Sequence, residues 1–205
     1  MNAVRTHRLA IRWPLVIASV LVLAAIVWLR KSEPSFADKL APFVLEGRAE
    51  QRVQARNFAV RVKRLKLARA YLTEGGLFDD APRRVDPDGV WLSVLVEAQP
   101  LQEPGYISAR LRARDGREYM AAPDDRPKVR GTNFGQQKLA TGLTGTGAYF
   151  FDVPEDALEG ARLVFFWGLS DAGDLDHVIE IDPGLDAAAV RKLRAEAQPL
   201  LNLVP

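Results

Sequence analysis

The stretch Ile107-Ser108-Ala109-Arg110-Leu111-Arg112-Ala113-Arg114-Asp115-Gly116 decides the fold class. Ile107, Ala109, Leu111 and Ala113 alternate with Ser108, Arg110, Arg112 and Arg114. A period of two marks a strand with one buried face and one wet face. Asp115-Gly116 follows directly and predicts a two-residue hairpin turn. Residues 117–121 then form the returning strand.

Strand signals continue on both sides. Upstream, Phe58, Val60 and Val62 alternate with Ala59, Arg61 and Lys63, after which Leu65 and Leu67 take the opposite phase. A slip of one residue at Lys63–Arg64 explains the change, so a bulge is expected there. Residues 90–98, VWLSVLVEA, are apolar on both faces, as in a central strand. Downstream, residues 148–153, 162–169 and 178–181 read as further strands. Asp186 can cap a helix over residues 187–197, with Val190, Leu193 and Ala197 on one face. The expected fold is mainly β, an immunoglobulin-like β-sandwich of about seven or eight strands followed by a short helix. The core should contain Phe58, Val60, Val62, Trp91 or Leu92, Val94, Val96, Leu111, Phe151 and Phe165.

A different signal precedes the domain. Residues 13–29, WPLVIASVLVLAAIVWL, carry no charge and have tryptophans at both ends, where indoles favour a membrane interface. They are expected to anchor the chain in a bilayer. The alternative is a cleaved signal peptide, with Ser35-Phe36-Ala37 at the cleavage site and Asp38 as the new start. Arg30, Lys31 and Glu33 stand between that site and the apolar run, which disfavours processing. Arg5, Arg8 and Arg12 precede the run without an acid, so the N-terminus is expected in the cytoplasm. The organisation read from the sequence is a cytoplasmic tail (1–12), a transmembrane anchor (13–29) and a linker (30–49). An extracytoplasmic sandwich (50–183) and a C-terminal helix with its tail (184–205) complete it. Within the linker, residues 37–45 could form a brief helix.

Composition removes several chemistries. Five of the 28 basic side chains (Arg5, Arg8, Arg12, Arg30, Lys31) flank the apolar run, which leaves 23 against 26 acidic ones. The overall net charge of +2 is therefore no sign of a nucleic-acid partner. The chain has no cysteine, hence no disulfide, thiolate metal site or thiol nucleophile. Its two histidines are His7 and His177, too few for a histidine zinc site in the domain. The segment Gly142-x-x-Gly145-x-Gly147 leads into an apolar strand, so it fails as a dinucleotide motif. Ser170 to His177 holds serine, aspartates and histidine, but they crowd one polar turn and read as a solvated loop. Asp86-Pro87-Asp88-Gly89 resembles a fragment of a calcium loop and reads as a turn before the next strand. No cofactor and no catalytic or metal-ligating residue is expected.

Two segments resemble a known family. The block Arg114-Asp115-Gly116-Arg117-Glu118-Tyr119 is followed by Leu143-Thr144-Gly145-Thr146-Gly147-Ala148-Tyr149-Phe150-Phe151-Asp152-Val153-Pro154. This pattern resembles bacterial cell-surface domains of unknown function with a telokin-like, immunoglobulin-type β-sandwich. The resemblance covers about residues 50–183. It implies a binding or scaffolding module on the cell envelope and brings no catalytic residues. Many members are lipoproteins; this chain has no cysteine to acylate, and the anchor would replace the lipid.

The functional expectation is a membrane-anchored extracytoplasmic binding module, an accessory subunit of an envelope assembly such as a transporter or secretion complex. The alternative is an envelope enzyme, or a small-ligand or ion receptor built on acidic loops. Partner contacts are expected on the long loops at 73–89 and 122–147, through Phe78, Arg83, Arg84, Arg126, Arg130 and Phe134. Aromatics and arginine are enriched where proteins meet. A second candidate is the segment 48–69, with eight cations (Arg48, Arg52, Arg56, Arg61, Lys63, Arg64, Lys66, Arg69) against Glu50 alone. Residues 152–186 hold ten acids against Arg162 alone. The two could neutralise each other within a sheet, or present a surface of one sign.

Overall fold

The computed structural model describes residues 13–32, 42–75, 81–121, 134–169 and 176–204. The chain divides into two compact units, Met1–Ala41 and Pro42–Pro205. In the first, helix α1 (Trp13–Ser32) continues the apolar run through Arg30 and Lys31. It is long and apolar enough to cross a membrane. At about 1.5 Å per residue its 20 residues extend roughly 30 Å. Its hydroxyl is satisfied locally, Ser19 Oγ donating to the Leu15 carbonyl at 2.9 Å.

The second unit is a β-sandwich. One sheet has five strands in the order β1 (Phe43–Arg48), β11 (His177–Asp182), β10 (Arg162–Trp167), β7 (Ile107–Arg112) and β8 (Glu118–Met120). The facing sheet has four, β2 (Val53–Gln54), β3 (Phe58–Ala68), β6 (Val90–Pro100) and β9 (Gly145–Val153). Period-two patterning delivers one core between them. Phe58, Val60 and Val62 of β3, Leu92, Val94 and Val96 of β6, and Tyr149 and Phe151 of β9 meet Ile107, Ala109, Leu111, Phe165 and Ile179 of the other sheet. Every expected core residue is buried, Trp91 and Leu92 both included.

The break in phase on β3 is a bulge. Val62 pairs with Val96 and Arg64 with Leu95, so Lys63 is the extra residue. Beyond it Leu67 returns to the core, and Leu65 packs against it.

Four expectations need correction. Residues 43–48 are a strand rather than linker or helix: β1 pairs in parallel with β11, from Phe43 opposite His177 to Arg48 opposite Asp182. The hairpin loop after β7 has three residues, not two. Ala113 N–H donates to the Arg117 carbonyl and Gly116 N–H to the Ala113 carbonyl, with Gly116 alone at positive φ, +89°. That is a turn closed by a glycine bulge rather than a type I′ turn, which needs two residues at positive φ. Ser108 and Arg110 are not on a wet face; both are buried. Arg110 lies over the Phe166 ring, 5.4 Å from its centroid, beside the outward cluster of Val164, Phe166 and Val178. The expected loop at 73–89 contains a strand, β5 (Arg83–Val85).

β5 joins β4 (Tyr71–Thr73) and β12 (Leu201–Asn202) in a three-stranded sheet of order β12-β4-β5. Its Tyr71 covers the outward side chains Trp91 and Phe150, with Val85, Leu201 and Leu203. The Trp91 indole donates to the Val85 carbonyl at 3.2 Å. Helix α2 (Ala187–Ala195) is capped as expected, Asp186 accepting from Ala189 N–H at 2.7 Å. It ends before Ala197 because the chain turns to pair with β3, Gln198 N–H donating to the Leu67 carbonyl at 3.2 Å.

Candidate functional site

The bulge at Lys63 determines what the outer face of the four-stranded sheet displays. Without it, strict alternation would turn Arg64 and Lys66 into the core. With it, Arg61, Lys63, Arg64 and Lys66 all point outward within six residues of one strand. Glu97 on β6 meets two of them: Arg61 Nη1 at 3.5 Å and Lys63 Nζ at 3.6 Å. Lys63 also reaches Glu50 at 3.9 Å. Arg64 and Lys66 are exposed and have no side-chain partner among the described residues. Their register neighbours on β6 are the uncharged Leu95 and Ser93.

A small cleft of about 120 Å³ extends the face toward β2, lined by Arg52, Arg61, Glu97, Gln99 and Thr144 among others. Arg52 donates to Gln99 Oε1, and Gln99 in turn donates to the Gly142 carbonyl at 2.6 Å. Five cations thus share a surface with two acids, Glu97 and Glu50. Guanidinium forks and ammonium groups in that arrangement bind carboxylates or phosphates.

Three of the six loop residues, Arg83, Arg84 and Phe134, lie among the described residues. Arg83 and Arg84 lie exposed on β5. Arg84 is spent on Asp86, its Nε donating to both carboxylate oxygens at 2.8 and 3.1 Å. That hydrogen bond, more than the charge of Arg84, holds the Asp86 carboxyl below the usual range. Phe134 corrects the sequence expectation. Only 1% exposed, it sits edge-on to Tyr149 with ring centroids 6.0 Å apart, so no partner can reach its ring. A lone aromatic in a glycine-rich loop dips into the sandwich because burial is worth more than display. Phe78, Arg126 and Arg130 lie outside the described residues.

In two other motifs the described residues make contacts within the fold. Asp176 accepts from Arg56 at 2.7 Å and from Asn57 at 3.1 Å through one oxygen, while its other oxygen meets His177 Nδ1 at 2.6 Å. Partial burial works against ionisation of Asp176, but the His177 hydrogen bond and the Arg56 charge outweigh it, so its pKa falls. The carboxylate ties the β2–β3 turn to the start of β11. Ser170 lies outside the described residues. In Asp86–Gly89, the Asp88 and Gly89 N–H groups donate to the Asp152 carboxylate at 3.0 and 3.2 Å, which makes the segment a capped turn. Among the described residues no three histidine, aspartate or glutamate side chains gather to hold a metal.

The signal for the basic face was present in the sequence, in the cation count of residues 48–69. What periodicity could not say was how many of those cations share a face.

No protein-family model matches the chain, and no curated protein matches it. Among solved structures it is similar to an uncharacterized β-sandwich protein from Clostridium difficile, at 11% identity over 73% of this chain and 98% of that one, TM-score 0.42. It is also similar to the yjhA protein from Bacillus subtilis, at 13% identity over 66% and 99%, TM-score 0.44. A conserved hypothetical protein from Bacillus anthracis shows 14% identity over 58% and 88%, TM-score 0.40. Likeness at this level carries no information about function.

Proposed function

We propose that this chain is a single-pass membrane protein whose sandwich, held outside the cytoplasm, is a non-enzymatic binding or scaffolding module of the cell envelope. Its partner is an acidic surface on another envelope protein, which places the chain as an accessory subunit of an assembly such as a transporter or secretion complex. The observation that carries this reading is the Lys63 bulge, which gathers Arg61, Lys63, Arg64 and Lys66 on one exposed face. A solvated face needs no such device. Membership in the telokin-like cell-surface class suggested by Asp115-Gly116 and by Phe151-Asp152-Val153-Pro154 agrees with the same role.

Electrostatic recognition of this kind weakens as salt rises. The test is a pull-down from solubilised membranes with wild type and with the double variant Arg64→Glu/Lys66→Glu. Both positions are exposed strand residues whose side chains have no partner among the described residues, so folding should survive. Loss of a specific captured protein, and its release by salt from wild type, is the expected result. Retention of every partner by the folded variant would sink the basic face as the binding surface. Topology is tested separately: a reporter active only outside the cytoplasm, fused after Pro205, should be active.

A further inference from the structure

We propose that the end of the sandwich where the chain enters, tipped by Phe43, Val44, Leu143 and Leu169, rests on the surface of the bilayer that holds α1. This rests on the membrane reading of α1.

Exposed apolar side chains are unevenly distributed. Among the described residues of the domain, the large exposed ones are Phe43 (68%), Val44 (49%), Leu143 (67%), Leu169 (61%), Met120 and Leu200. Singly such residues are ordinary, but the first four gather at one end. Backbone hydrogen bonds tie that end together. Phe43 N–H donates to the Asp176 carbonyl at 2.8 Å, and the Asn57 side chain holds the Asp176 carboxylate. Leu101 N–H donates to the Asn57 carbonyl, Gly142 N–H to Pro100, and Gly168 N–H to Tyr106.

The two leucines are presented by construction. Each follows a glycine in the left-handed region, Gly142 at φ +75° and Gly168 at φ +97°. A side chain at either glycine would strain the backbone, so the direction in which the chain enters each leucine depends on it. Each glycine is tied to a neighbouring segment by its own N–H, and the leucine after it is exposed. Separate apolar tips suit shallow insertion between lipid headgroups better than they suit a protein interface, which needs a contiguous packed centre. Half-buried Tyr106 and Trp167 stand behind the tips, the residue types that favour the headgroup level. Lys138, exposed and without a described partner, belongs to the same end through the Leu139–Gly105 backbone pair.

Covalent geometry keeps the tips within reach. Residues 33–42 link Ser32 to Phe43. A chain spans at most about 3.5 Å per residue, so the leash is no longer than roughly 35 Å and keeps a high local concentration of lipid at this end. The basic face of β3 would then stand to the side, open to a partner.

The chain lacks cysteine, so a single introduced one gives a unique probe position. The full chain is reconstituted in phosphatidylcholine–phosphatidylglycerol vesicles with an environment-sensitive fluorophore on one of four variants. Leu143→Cys and Leu169→Cys report the proposed contact. Glu159→Cys reports the opposite end, and Val16→Cys reports α1. The expected result is loss of fluorescence to a lipid-borne spin label at Leu143, Leu169 and Val16, with none at Glu159. Quenching at Val16 but not at either leucine would overturn the contact while leaving the anchor intact. Leucine probes shielded from an aqueous quencher yet untouched by the lipid label would mean that a protein covers the end, which also overturns it. An unquenched Val16 would instead remove the membrane reading on which the inference rests.

Discussion

Deleting Lys63 should leave the domain folded, whereas inserting one residue two positions later should not. In the wild-type ladder Val62 pairs with Val96 and Arg64 with Leu95, so excising Lys63 closes the strand into an uninterrupted alternation. What the deletion removes is two ion pairs, Lys63 to Glu97 at 3.6 Å and Lys63 to Glu50 at 3.9 Å. Partly exposed pairs of this kind are worth about 0–1 kcal/mol each, so the net change should stay within about 2 kcal/mol. A serine inserted between Arg64 and Leu65 does the reverse. Leu67, now 4% exposed, turns to water at a loss of about 1.5–3 kcal/mol. Lys66 turns inward, and an unpaired ammonium in that core costs several kcal/mol more. The sum approaches the whole stability of a typical domain, about 5–15 kcal/mol. Denaturant unfolding followed by far-ultraviolet circular dichroism, on the full chain in detergent, measures both variants. If the deletion destabilises as much as the insertion, Lys63 is not a simple extra residue and the account of the basic face fails with it.

Phe134→Ala should cost about 3–5 kcal/mol in the same assay, as loss of a buried aromatic does, whereas Arg83→Ala should stay within about 0.5 kcal/mol. Equal effects would contradict the burial of Phe134. Gly105→Ala should lower the melting temperature, because a Cβ there would stand 2.3 Å from Cζ2 of Trp167, whose ring stacks on Phe58. Over-packing of that kind costs about 1–3 kcal/mol. Asp176 predicts a pH dependence. Its folded pKa is lowered, so its contribution is fully present above the unfolded aspartate value near 3.9 and is lost as pH falls through the folded value. Asp176→Asn should therefore flatten the acid limb of a stability–pH curve; an unchanged limb would remove Asp176 from the account.

Legibility in the sequence followed the strength of periodicity. The phase break after Val62 announced the bulge because a single extra residue inverts every later side chain, a signal no turn or loop can imitate. The central strand at Val90 and the capped helix after Asp186 were legible for similar reasons, a two-sided apolar run and a cap residue. β1 was hidden because Phe43–Arg48 is short, follows Pro42 and contains Gly47; its partner, β11, lies at the far end of the chain. Gly47 is required there, since a Cβ would meet Val53 Cγ2 at 2.2 Å. Arg110 read as solvent-facing because its charge says so. Its burial depends on Phe166 and Glu118, which come from other strands, Glu118 lying 3.3 Å from Arg110 Nε. The burial of Phe134 is invisible in the sequence because composition cannot distinguish an aromatic displayed on a loop from one tucked beneath it.

The parallel pairing of β1 with β11 has a consequence for the order of folding. Synthesis proceeds from the N-terminus at about 5–20 residues per second, so Phe43–Arg48 exists long before His177–Asp182 does. Throughout that interval β1 is a ribbon with both edges unsatisfied, and hairpins such as β7–β8 can form without it. The five-stranded sheet is completed only by a closure between the two ends of the domain sequence, the slowest kind of contact to make. Any truncation before residue 182 would leave an apolar strand permanently seeking a partner, and a second molecule's edge is the nearest substitute.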